Sequence, residues 1–107
     1  MLLGVAYKAD VSDVRESPAL AIAQLLLERG GDVRYHDPFV PEMRIGEHSL
    51  KSVDLTDEQI SGADLVVILT DHSAIDYARV VRLSHRVYDT RNATRNVKDG
   101  RERVRKL

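Results

Sequence analysis

What most constrains this chain is a charged stretch set between two apolar ones. Leu2-Leu3-Gly4-Val5-Ala6 leads into Tyr7-Lys8-Ala9-Asp10-Val11-Ser12-Asp13-Val14-Arg15-Glu16-Ser17-Pro18, and an apolar pattern over 19–27 leads out. An apolar run without alternation reads as a central parallel strand, and a stripe at helical spacing reads as an amphipathic helix. The stretch between them is then a strand-to-helix loop, which in an open α/β sheet lies at the carboxyl edge, where ligands bind. Lys8, Asp10, Asp13, Arg15 and Glu16 charge it. Strand-to-helix connectors usually run about two to six residues. Length and charge together mark a binding loop.

The rest of the chain supplies the sheet. Residues 2–7 predict the first strand. Ser17 is an N-cap, Pro18 suits the first helical position, and the helix runs over 18–29 until Gly30 stops it. A second strand is expected over 33–36, ended by Asp37-Pro38. Residues 50–53 predict a short edge strand. Thr56-Asp57-Glu58-Gln59 has the form of a capping box, with Gln59 reaching back, and a short helix to 61 comes next. Leu65-Val66-Val67-Ile68-Leu69 is the strongest strand signal, being apolar and β-branched. A helix over 75–83, facing inward through Ile75, Ala78 and Val81, leads to a last strand over 86–89. Residues 98–107 read as a polar, frayed tail. The order predicts a Rossmann-like, doubly wound and mainly parallel sheet of about five strands flanked by helices, as a single three-layer domain over residues 1–107.

Composition narrows the function. A chain of 107 residues, 43% hydrophobic and 31% charged, fits one soluble domain. Its 16 basic and 17 acidic side chains leave a net charge of -1, which gives no electrostatic reason to expect nucleic acid or a membrane as partner. The absence of cysteine excludes disulfides, thiolate metal sites and a cysteine nucleophile within these residues, and suits the cytoplasm. No apolar run is long enough to span a bilayer, and the start lacks the features of a signal peptide. The chain begins almost inside a strand, as some natural domains do and as a piece of a longer protein would.

Strand ends in a parallel sheet share one edge. Here that edge collects Tyr7 and Lys8, then Asp37, then Thr70, Asp71 and His72, then Asp89 and Arg91. Lys8 and Arg91, with the helix amino end near Pro18, suit a phosphate or diphosphate. They equally suit ion pairs with Asp10 or Asp13 and with Asp89, and both readings stand on spacing alone. Arg15 can reach a partner's phosphate or brace the loop. Tyr7 can stack on a ring or cover the sheet. Asp37, Asp71 and His72 read as structural groups, and no histidine has a metal-ligand spacing. The loop after the first strand has no glycine, so the dinucleotide fingerprint G-x-G-x-x-G is missing, as are a P-loop and a nucleophile elbow. The chain therefore looks like a binding domain and not a complete catalyst. A non-catalytic module of receiver-like or flavodoxin-like shape is the alternative.

The residues resemble one family. Gly4-Val5-Ala6-Tyr7-Lys8, Asp13-Val14-Arg15-Glu16-Ser17-Pro18, Tyr35-His36-Asp37-Pro38, Thr70-Asp71-His72 and Asp89-Thr90-Arg91-Asn92 resemble, in order, the C-terminal domain of the UDP-glucose/GDP-mannose dehydrogenase family. The continuation to Ala93-Thr94 looks most like the branch acting on UDP-N-acetylglucosamine or UDP-N-acetylmannosamine. The resemblance implies a full enzyme with an N-terminal NAD domain, a central helical dimerisation domain and this UDP-binding domain. It implies oxidation of the C6 alcohol of a UDP-N-acetylhexosamine or of UDP-glucose to a carboxylate in two steps with two NAD, through a cysteine outside this chain, for polysaccharide precursors. It implies that Tyr7, Lys8 and Arg91 contact the UDP-sugar and that Arg15 reaches NAD. No catalytic residue and no metal ligand is expected in this chain, and the fragment alone is expected to be inactive. The full enzyme is expected to be a homodimer.

Overall fold

A computed structural model describes residues 1–6 and 17–107. Tyr7, Lys8 and Arg15 lie outside the described residues. Among the described residues, five strands form one parallel sheet: β1 (Leu2–Leu3), β2 (Tyr35–His36), β5 (Val66–Ile68), β6 (Val87–Asp89) and β7 (Val104–Lys106). Their spatial order is β2-β1-β5-β6-β7. The remaining strands, β3 (Glu42–Ile45) and β4 (His48–Lys51), pair antiparallel as a separate hairpin. The described residues also hold three α-helices: α1 (Pro18–Glu28), α2 (Asp57–Ser61) and α3 (Tyr77–Leu83).

Neighbouring side chains on a strand point to opposite faces, and this alternation divides the core in two. Leu2 joins α1, Tyr35, Met43 and Ile45 on one face. Leu3 joins Ile60 of α2 and Val80 and Val81 of α3 on the other. Within β5, Val66 and Ile68 pack with the second cluster and Val67 against the first. The doubly wound, three-layer architecture results from those two apolar faces.

The helix ends obey their local chemistry. Ser17 accepts the Ala19 N–H at the start of α1, with Pro18 at the first position. Beyond the other end, Gly30 takes φ +82° and the Gly31 N–H bonds Leu26 O. At α2, Thr56 accepts the Gln59 N–H, but Gln59 does not reach back: its side-chain oxygen accepts from Arg34. The Thr56 N–H bonds Asp54 O at 2.9 Å instead, which leaves the reciprocal cap without its donor.

Three further expectations change. Residues 50–53 do not join the sheet edge; Leu50 and Lys51 belong to β4 of the hairpin, which turns at Gly46 (φ +58°) and buries Met43 and Ile45. The inward stripe of α3 is Tyr77, Val80 and Val81, with Ala78 exposed, because Asp76 caps the helix and delays its start. Ile75 is buried just before that cap. The tail is not frayed: Arg101–Arg103 form a 3-10 turn and β7 adds to β6 in parallel register. Polar side chains do not prevent an edge strand whose ladder is backbone, and Arg101 and Arg103 tie the tail down on Thr94 O (2.7 Å) and Arg82 O (2.6 Å).

Candidate functional site at the carboxyl edge

The order in which the chain adds strands reverses between β1 and β5: β1 leads to β2 on one side, and β5 leads to β6 and β7 on the other. Open α/β folds bind ligands in the crevice beyond such a switch point. Here the crevice is bounded by Gly4-Val5-Ala6 and by Thr70-Asp71-His72.

The two strand ends touch closely. Gly4 sits at φ +78°, and a Cβ there would lie 2.6 Å from Thr70 Cβ and 2.8 Å from its carbonyl oxygen. Only glycine meets both demands. Just past it, the Thr70 hydroxyl donates to Ala6 O at 2.7 Å.

Asp37, at the end of β2, reaches across to the same backbone. Its Oδ2 accepts the N–H groups of Val5 (2.8 Å) and Ala6 (3.1 Å) and His72 Nε2 (2.8 Å), and its Oδ1 accepts the Phe39 N–H (2.8 Å). Asp37 is 2% exposed and His72 0%. Burial alone would raise the carboxyl's pKa, but the hydrogen bonds from Val5, His72, Phe39 and Ala6 outweigh it and hold it below the ordinary 3.8. An ionised Asp37 only accepts, so His72 Nε2 carries the proton between them. The Phe39 ring lies 5.1 Å from the His72 ring, tilted by 46°. Below them the Tyr77 hydroxyl donates to the carbonyls of Thr70 and His72, and burial, with Asp71 nearby, pushes its pKa up. Asp37 and His72 are structural groups, as the sequence suggested, and they form a buried pair.

At the end of β6, a second buried aspartate builds a turn. Asp89 accepts the N–H groups of Arg91, Ala93 and Thr94 and the Thr94 hydroxyl. Burial opposes ionisation, yet the bonds from Thr94, Ala93 and Arg91 hold this carboxyl below 3.8 as well. Its oxygens are thereby occupied, and the Arg91 side chain is not paired with Asp89. Instead Arg91 Nε donates to Leu69 O at 3.0 Å. Its terminal nitrogens bond none of the described residues, and the side chain stands exposed on the edge. Asn92 sits next in the left-handed region (φ +57°), and Lys106 of β7 donates to its side-chain oxygen.

Arg95 is absent from the expected set. It ion-pairs with Asp71 at 2.9 Å and bonds Asn92 O at 3.0 Å, joining the ends of β5 and β6. An acid after one strand and a base after its neighbour is the signal that could have found it. The edge therefore carries Arg91, Arg95 and Lys106 against the partly exposed carboxylate of Asp71.

A dinucleotide does not fit the described part of this crevice. Dinucleotide-binding folds place glycines after the first strand and use an acid some twenty residues on to hold ribose hydroxyls. Here Asp37, the acid ending β2, is turned inward and its oxygens are filled by four donors.

The topology and the cationic edge define a Rossmann-like α/β domain that lacks a dinucleotide site among its described residues. Residues 1–96 match the model of the UDP-glucose/GDP-mannose dehydrogenase family, UDP binding domain, and the chain belongs to that family. The receiver-like and flavodoxin-like alternatives fall away. The chain is 41% identical over 71 residues to the UDP-N-acetyl-D-mannosamine dehydrogenase of Methanococcus maripaludis, covering 66% of this chain and 15% of that protein. It is 35% identical over 92 residues to the NDP-N-acetyl-D-galactosaminuronic acid dehydrogenase of Ralstonia nicotianae, covering 82% of this chain and 21% of the relative. A solved structure of the UDP-N-acetyl-mannosamine dehydrogenase of S. aureus superposes with a TM-score of 0.62 at 34% identity, over 86% of this chain and 22% of that one. The chain thus spans about a fifth or less of the length of these relatives.

Proposed function

We propose that this domain holds the nucleotide part of a UDP-sugar at its carboxyl edge, within an NAD-dependent nucleotide-sugar 6-dehydrogenase. The substrate is a UDP-N-acetylhexosamine, and the product is the corresponding sugar carboxylate used as a polysaccharide precursor. The observation that carries the reading is Arg91. In a chain that matches a UDP-binding domain, its Nε bonds Leu69 O while its terminal nitrogens bond none of the described residues. A guanidinium held in this way presents paired donors to phosphate oxygens. The names of the relatives support the choice of sugar nucleotide.

In this reading Lys8 adds a second cation beside the diphosphate, Tyr7 contacts the UDP-sugar, and Arg15 reaches an NAD held by other parts of the protein. NAD supplies the acceptor for hydride in each oxidation step. The chain's own residues bind and orient; none of them is catalytic. The full enzyme works as a homodimer.

Substitution in the complete dehydrogenase tests this. Arg91→Ala and Lys8→Ala should each raise the KM for the UDP-sugar roughly tenfold or more, since a charge-assisted hydrogen bond contributes about 1.5–3 kcal/mol. An unchanged KM in both variants would overturn the reading. The 107-residue chain alone should not reduce NAD with any UDP-sugar.

A further inference from the structure

The binding reading leaves a set of buried polar groups unused: Asp37, Thr70 and His72, all 2% exposed or less. Their side chains are buried beneath the edge, where Asp37 and Thr70 converge on two residues of backbone and His72 bonds Asp37. The Val5 and Ala6 N–H groups are held by Asp37 Oδ2, and the Ala6 carbonyl by the Thr70 hydroxyl. Three of the four backbone polar groups of Val5 and Ala6 are thus fixed by side chains from the two flanking strands. Parallel strands normally end on their own ladder or in solvent, so side-chain clamping from both neighbours needs a reason.

The reason lies in the residues just after Ala6. Tyr7 and Lys8 are the pair to which the binding reading gives the UDP-sugar. We infer that Asp37, Thr70 and His72 form a positioning clamp that fixes the backbone from which Lys8 departs, and so sets the affinity for the diphosphate. This rests on the reading of Lys8 as a ligand contact. The clamp also explains the inward Asp37. The acid that would hold a ribose in a dinucleotide fold here holds the first strand's own backbone, which excludes one ligand while orienting another. His72 completes it by donating its Nε2 proton to Asp37 Oδ2 from the far side of the crevice, with Phe39 against its ring.

A thermodynamic cycle tests the clamp, read as the UDP dissociation constant of the complete dehydrogenase. Thr70→Val keeps shape and removes only the bond to Ala6 O. With Lys8 present it should weaken UDP binding roughly tenfold, the scale of coupling between residues that act together. In a Lys8→Ala background the same change should weaken binding less than twofold. Thr70→Ser, which keeps the hydroxyl, should restore binding. Equal weakening in both backgrounds would show a general structural effect and overturn the inference while leaving Lys8 a ligand. No effect of Lys8→Ala alone would overturn the binding reading, and the inference with it. Should Thr70→Val not fold, Thr70→Cys, similar in size but a weak donor, takes its place in the same cycle.

Discussion

Two buried aspartates end two strands of one sheet, and their carboxylates do opposite things with the same chemistry. Asp89 collects donors from its own next five residues, Arg91, Ala93 and Thr94, and so builds a local turn. Asp37 collects them from three separate stretches of chain: Val5 and Ala6, His72, and Phe39. The first fixes where the exposed Arg91 begins. The second ties β1, β2 and the end of β5 into one unit. A carboxylate's influence on a fold thus depends less on how many bonds it accepts than on how far apart in sequence the donors lie.

The two sites should suffer unequal damage. Asp37→Asn offers an amide –NH2 where N–H donors already point, and its donors sit on separate, packed segments that cannot relax together. Its cost in urea unfolding should be the largest, roughly 3–5 kcal/mol, because several buried donors lose a charged acceptor at once. Gly4→Ala should come second at roughly 2–3 kcal/mol, combining a positive φ with overlap at Thr70. Asp89→Asn should cost about 1–2 kcal/mol, because a single turn can shift to relieve its unpaired donors. An Asp89→Asn cost equal to that of Asp37→Asn would remove the distinction between local and long-range donors.

Acid separates the two further. Both carboxyls are held below 3.8 in the folded chain. A depressed folded pKa contributes stability above the unfolded value that is lost as pH falls through the folded one. Unfolding free energy should therefore decline below about pH 4. Asp89→Asn should flatten that decline without removing it, leaving the share of Asp37; an unchanged profile would deny Asp89 its ionised role. Smallest of all, Arg91→Ala should change stability by less than about 0.5 kcal/mol, since its exposed side chain makes one bond among the described residues. A larger loss would make Arg91 a strut of the fold.

The same contrast explains what the sequence reveals. Local devices are legible: the Ser17-Pro18 start and Gly30 stop of α1, the apolar run feeding β5, and the Asp89-Thr90-Arg91-Asn92 stretch. The hairpin is hard to see although Met43 and Ile45 alternate with polar residues before Gly46, because its inward residues are few. Strand β7 escapes because Arg105 and Lys106 carry no apolar signal, and its hold comes from backbone pairing and from Arg101 and Arg103. The partnership of Asp37 with His72 spans 35 positions. Both residues are visible at strand ends, but nothing in the spacing says that one turns inward to meet the other.

An amide NMR titration of this chain with UDP bears most heavily on the carboxyl edge as the nucleotide site. On the opposite edge, a cleft of about 280 Å³ is lined by Leu26, Asp32, Arg34, Gln59 and Leu65. Shifts are expected at Val5, Ala6, Thr90, Arg91 and Asn92. Shifts confined to Asp32, Arg34 and Gln59, with the carboxyl edge silent, would contradict a nucleotide site at the strand ends.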